Sequence, residues 1–136
     1  MPKFSWRSKE NLYSCDTKLV SVFEAVIEVV DCTVLCGLRT MEEQATAFAT
    51  GHSKKEWPDS RHNTRDAGKS EAIDVIPWPI DWNDRERITL FAGYVMGVSR
   101  SMGVMLRWGG DWDEDWQTKD NTFDDLVHFE LRKAKK

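Results

Sequence analysis

Two stretches of this chain repeat their apolar residues at intervals of three and four, and only short β-branched runs lie around them. That alternation restricts the architectures open to it. From Asp16 to Val30 the repeating set is Leu19, Val22, Phe23, Val26, Ile27 and Val30, an amphipathic helix with Asp16 placed to cap it. Asn83 or Asp84 is placed to cap a second long helix with Ile88, Phe91, Ala92, Val95, Met96 and Met102 on one face, ending near Gly103. Thr40-Met41-Glu42-Glu43 has capping-box spacing and predicts a shorter helix from Met41 to about Ala49, with Gly51 placed to end it. Cys32–Cys36 reads as a strand leading to a turn at Gly37, Glu71–Ile76 as a strand stopped by Pro77, and Met105–Trp108 and Val127–Leu131 as two more. Too few strands have helical crossovers for a doubly wound sheet. The expected class is α+β, a small antiparallel sheet with two long helices packed on it.

At 136 residues and 15.8 kDa the chain is expected to form one domain, spanning 1–136. Hydrophobic residues make up 40%, with 7 Trp and 6 Phe, which excludes global disorder. Basic residues number 19 against 23 acidic ones, a net charge of -4, which argues against a nucleic-acid partner because phosphate neutralisation supplies most of that affinity. No apolar run approaches the roughly 18 residues of a membrane span. The opening residues Met1–Arg7 lack the apolar stretch of a secretory signal, so the expectation is a protein that stays in the cytoplasm of the producing cell unless something else releases it.

Three cysteines, Cys15, Cys32 and Cys36, cannot all pair within one chain. Four residues of strand separate the Cα atoms of Cys32 and Cys36 by about 13 Å, too far for a disulfide and unsuited to a zinc clip. All three are expected as reduced thiols in or near the core. From His52 to Lys69 the chain is polar and broken by Pro58, Asn63 and Gly68, a loop long enough to point to function.

The residues that carry chemistry are few. His52, His62 and His128 are the only histidines, and a lone histidine is more often a solvated or hydrogen-bonded side chain than a ligand. Position favours two of them. His62 lies in the long loop just ahead of a strand bearing Asp74, a carboxylate sharing a strand face with Ala72 and Ile76, where it is costly unless paired or metal-bound. His128 lies on the last strand, three residues after Asp125. His62, Asp74 and His128 would together make a two-histidine, one-carboxylate site with a fourth position open to water, the composition of a catalytic zinc centre.

Ser60-Arg61-His62-Asn63, then Ala72-Ile73-Asp74-Val75, then Asp125-Leu126-Val127-His128-Phe129-Glu130 resemble the zinc D-alanyl-D-alanine peptidases of the lysostaphin-type superfamily. Within that family the chain looks most like the small phage endolysins that cut the L-alanyl-D-glutamate bond of peptidoglycan stem peptides. Gly37-Leu38-Arg39-Thr40 with Gln44, Ile80-Asp81-Trp82-Asn83 and Arg107-Trp108-Gly109-Gly110-Asp111-Trp112 agree in the expected order, so the resemblance runs from about Gly37 to Leu131. One departure is the gap of twelve positions from His62 to Asp74, commonly shorter in the family: Arg65–Lys69 looks like extra loop, and Ser70 stands where Gly often does. Such an insertion is cheap in closure entropy, since doubling a loop costs only about 0.6 kcal/mol.

The resemblance implies a zinc site at the sheet face with His62, Asp74 and His128 as ligands, Asp125 as general base, and Arg39 as the arginine that holds a substrate carboxylate or the oxyanion. Without it, Asp124 and Asp125 would read as solvated turn residues and Arg39 as a surface arginine at a helix entry. Gln44 and Ser60 are weaker substrate-side candidates; Ser60 is not expected to act as a nucleophile, because no histidine–carboxylate pair is left to activate it. Asp111-Trp112-Asp113-Glu114-Asp115 begins like an EF-hand loop, but Trp116 stands at the sixth position and Thr122 at the twelfth, so an EF-hand is rejected. A solvated acidic loop or a looser second, regulatory cation site remain for it. The tail Arg132–Lys136 is either solvated or a contact to anionic cell-wall or membrane surface.

The function this implies is a zinc peptidoglycan peptidase acting as a monomeric phage endolysin, held in the host cytoplasm until a holin-type protein lets it reach the periplasm. The alternatives are a D-alanyl-D-alanine carboxypeptidase or dipeptidase, served equally well by the same residues, and a non-catalytic zinc-stabilised cell-wall-binding module. Asp125 separates the last from the enzymes, since a pure binder has no need of it.

Overall fold

A computed structural model describes residues 2–64, 68–118 and 124–132. Its elements are α1 (Trp6–Tyr13), α2 (Thr17–Ile27), β1 (Cys32–Cys36), α3 (Met41–Ala49), β2 (Ala72–Pro77), α4 (Arg85–Ser101), β3 (Leu106–Trp108) and β4 (His128–Leu131). The four strands form one antiparallel sheet in the order β1-β2-β4-β3, the α+β arrangement expected. Asp16 caps α2 by accepting from Lys18 N, Asp84 caps α4, and the Thr40–Glu43 capping box opens α3.

α2 and α4 lay their apolar stripes against the sheet face that carries Ile73, Val75 and Phe129. Phe23 and Phe129 meet edge to face at 5.6 Å within this core. Burying such side chains is the main term holding the layers together, at roughly 25 cal/mol per Å² of apolar area. β2 is buried along its whole length because β1 and β4 flank it and both faces are covered.

Three details differ from the sequence-based expectations. The first long helix stops at Ile27, short of Val30, and Met102, expected on the buried face of α4, is exposed. α1 was not expected, because only Ser8 and Leu12 of its eight residues are buried and it shows no apolar stripe. It is held instead by polar contacts with the open edge of β1: Val34 N donates to Ser8 Oγ at 3.0 Å and Asn11 Nδ2 donates to Val34 O at 2.9 Å. Beyond that edge the chain passes so close to α1 that a Cβ on Gly37 would meet Asn11 O at 2.2 Å. Cys15 and Cys32 are buried and Cys36 half-buried, all free thiols, and burial pushes the first two up to about 12. The extra-loop residues 65–67, Thr122 and the tail beyond Arg132 lie outside the described residues.

Candidate metal centre

The sheet face opposite the two long helices carries the charged residues. The β2–β4 register sets Asp74 directly across from His128, and the β1–β2 register sets Cys36 across from Asp74. Strict alternation would send Cys36 toward the core with Cys32 and Val34. A register shift between Val34 and Cys36 turns it to the charged face instead.

His62 reaches the same point from the long loop, which is not wholly a surface feature: its histidine is only 2% exposed. The loop is pinned there by Arg39 N donating to His62 O at 2.8 Å and by His62 N donating to Ser60 Oγ at 3.2 Å. The result is a triangle. His62 Nε2, His128 Nδ1 and Asp74 Oδ1 are each 3.2 Å from the other two.

Three electron-pair donors at that spacing suit a tetrahedral zinc. Ligands about 2.0–2.1 Å from such an ion lie about 3.3 Å apart along each edge. The far nitrogens fix the matching tautomers: His62 Nδ1 donates to Gly37 O at 2.8 Å, and His128 Nε2 donates to Glu130 Oε1 at 2.8 Å. Glu130 is itself held by Arg107 at 2.8 Å. Cys36 also brings a ligand atom within 4.8 Å of His62 and Asp74, but its sulfur lies 3.8 Å from Nδ1, the nitrogen already given to Gly37. It stands behind the His62 ring and outside the triangle.

Electrostatics agree with a cation site. Burial opposes the charged form of every member, yet the group keeps its charges through one another. The two imidazoles hold Asp74 below the usual carboxylate range. Burial disfavours charge on His62, but the Asp74 carboxylate outweighs it and carries the imidazole up to about 10. His128 is raised likewise, by Asp74 and Glu130 against burial. Burial would raise Glu130, but His128 and Arg107 bring it down to about 2. Without a metal, protons supply the positive charge that these donors demand.

Asp125 brings a carboxylate oxygen within 4.8 Å of the ligand atoms of Asp74 and His128. In the metal-free protein burial, then the Asp74 charge, raise it to about 6. Its placement depends on Gly109: Asp125 N donates to Gly109 O, Gly109 N donates to His128 O, and a Cβ on Gly109 would meet Asp125 O at 2.1 Å.

Arg39 NH2 lies 3.5 Å from Asp74 Oδ2, and its NH1 donates to Gln44 Oε1 at 3.0 Å. Gln44 is fully buried; its amide also donates to Ser53 Oγ and Lys55 O, so it holds Arg39 from beneath and forms no part of the cavity wall. A cavity of about 250 Å³ opens over the triangle, lined among others by Arg39, Ser60, His62, Trp112, Asp125 and His128. The Trp112 ring leans on His128 at 5.1 Å.

The sequence reading missed Glu130, Cys36 and the supporting Asn63, whose amide donates to Arg39 O and Gln44 Oε1. Glu130 had a signal: it stands two residues after His128 on one strand and shares its face. Asp111, Asp113 and Asp115 bring carboxylates within 4.8 Å of one another, but Asp111 spends both oxygens on the backbone N–H groups of Asp115 and Trp116.

The chain matches the phage L-alanyl-D-glutamate peptidase family over residues 1–132. It is 32% identical to the L-alanyl-D-glutamate peptidase of Escherichia phage T5, with 82% of each chain covered. The crystal structure of the L-Ala D-Glu endopeptidase ChiX of Serratia marcescens is similar with a TM-score of 0.73 and 28% identity, covering 96% of this chain and 91% of that one.

Proposed function

The chain belongs to the phage L-alanyl-D-glutamate peptidase family, and from that premise we propose that it cuts the L-Ala–D-Glu bond of peptidoglycan stem peptides as a zinc hydrolase. The observation that carries the zinc reading is the 3.2 Å triangle with each far imidazole nitrogen already engaged. His62, Asp74 and His128 would hold the ion. Bound there, zinc would supply Lewis acidity, polarising a carbonyl and lowering the pKa of water from 15.7 toward about 7.

The chain's own residues do the rest. Asp125 accepts the proton of the attacking water and returns it to the leaving amine of D-Glu, so one carboxylate serves both proton transfers. Arg39, held by Gln44, faces the cavity with N–H groups for the carbonyl oxygen as negative charge develops there. Ser60 braces the His62 backbone. Glu130 and Gly37 keep the imidazoles in the ligating tautomer.

The reading extends to context. Residues 1–136 act as one catalytic domain on peptidoglycan, as a monomer, after release from the host cytoplasm to the periplasm by a holin-type protein. Among the described residues no helix is long and apolar enough to cross a membrane. The test is digestion of purified peptidoglycan with the zinc-loaded protein and mass spectrometry of the new termini. The expected product pair is a C-terminal L-Ala and an N-terminal D-Glu; loss of terminal D-Ala with that bond intact would contradict the reading.

A further inference from the structure

Among the described residues, two buried side-chain polar atoms have no hydrogen-bond partner: Arg61 Nε and Trp112 Nε1. Both are N–H donors, and both residues line the cavity above the triangle. Buried donors without acceptors are rare in native proteins, and two on residues lining the same cavity ask for a common explanation.

The rest of Arg61 is tied down. Its NH2 donates to Leu131 O at 2.5 Å and lies 3.6 Å from the Glu71 carboxylate, leaving the side chain 14% exposed. Trp112 is fixed by the His128 ring on one side and by the Arg107 guanidinium, 5.4 Å from its ring centre. The wall is also cationic, carrying Arg39, Lys54, Lys55, Arg61 and Arg107 in a chain whose net charge is -4. Of its two acidic residues, Glu130 is already committed to His128 and Arg107. A donor-rich, positive wall with fixed N–H groups is built for a small anionic acceptor, and a carboxylate has the two oxygens for two such donors.

The proposed substrate brings one. A D-glutamyl residue on the leaving side has two carboxyl groups, and onward linkage of the stem peptide uses only one. Resting on the L-Ala–D-Glu reading, we propose that Arg61 and Trp112 bind the free carboxylate of the D-glutamyl residue, which makes Arg61 a specificity-determining residue beside the metal centre.

The test compares two synthetic stem peptides that differ only there, one with the free carboxylate and one with the carboxamide. For the wild-type zinc protein, kcat/KM should favour the carboxylate peptide by roughly ten- to a hundred-fold. Arg61→Gln should bring that ratio close to one, and Trp112→Phe, which keeps a ring against His128 but removes the N–H, should lower it severalfold. A purely structural role would depress both peptides by the same factor and leave the ratio unchanged, which overturns the proposal, as does a wild-type ratio near one. If Arg61→Gln fails to fold, Trp112→Phe alone decides by the same ratio. A zinc-loaded wild type that cleaves neither peptide refutes the underlying activity, and this inference falls with it.

Discussion

Asp74 and His128 face each other across the β2–β4 ladder, with Oδ1 and Nδ1 3.2 Å apart on a buried stretch of sheet. Because Nε2–H of His128 is already given to Glu130, Nδ1 would meet the Asp74 carboxylate lone pair to lone pair unless a positive charge lies between them. With the His62 nitrogen at the same distance from both, that charge is a proton or a metal ion.

Asp125 tests whether the site is a catalyst or a staple. Asp125→Ala removes a carboxylate near the triangle but none of its three members. Zinc content should stay at the wild-type level while kcat falls by about 10²–10⁴, the usual contribution of a general base. Peptide hydrolysis at the wild-type rate would remove Asp125 from the mechanism.

Glu130→Gln tests the outer support of the metal. The variant keeps the size of the side chain but loses the charge-assisted bond to His128 Nε2 and the ion pair with Arg107. Zinc affinity, measured by competition with a chelator, should weaken by about 10–100-fold.

Gly109→Ala tests how the base is positioned. The new Cβ would run into Asp125 O, a backbone atom that cannot swing aside, and come 3.1 Å from His128 Cβ. The loop must shift, so activity should fall at least tenfold, since small misplacements of catalytic groups are expensive in rate.

Above about pH 6.5, rising pH should remove the His62 contribution from the metal-free protein while strengthening zinc binding. In the chelated protein the folded-state pKa of His62, about 10, lies above its ordinary value of 6.5. The stability this contributes is complete below about pH 6.5 and is lost as pH rises through about 10. Glu130, lowered to about 2, contributes stability present above its ordinary 4.5 and lost as pH falls through about 2. Zinc must displace the imidazole protons, so its apparent affinity should rise with pH between 6 and 9, with protons released on binding. Thermal melts with and without chelator, and calorimetry in buffers of different ionisation enthalpy, read the two effects.

The legible parts of the fold were those with a local cause. Asp16, the Thr40–Glu43 box and the three- and four-residue apolar spacing mark helices through short-range hydrogen bonds and burial, and the helices start where those signals put them, though α2 ends one turn early. α1 was not legible because Ser8 and Asn11 hold it to the β1 edge by contacts 23 to 26 residues away in the chain. At the site, a carboxylate on an apolar strand drew attention to Asp74, and position in the chain to His62 and His128, while Asp125 came forward only through the resemblance of its motif to a zinc peptidase family. Cys36 was hidden by a register shift that alternation cannot foresee. Arg61 stood between two motif residues, and only its unpaired Nε draws attention to it.

X-ray absorption at the zinc edge of the purified protein tests the central claim most directly, because it reads ligand type and distance together. The account predicts one zinc per chain in a shell of nitrogen and oxygen at about 2.0–2.1 Å, lost in His128→Ala. A sulfur scatterer at about 2.3 Å would put Cys36 in the shell, and a protein that takes up no zinc would leave the triangle without its ion; either result contradicts the account.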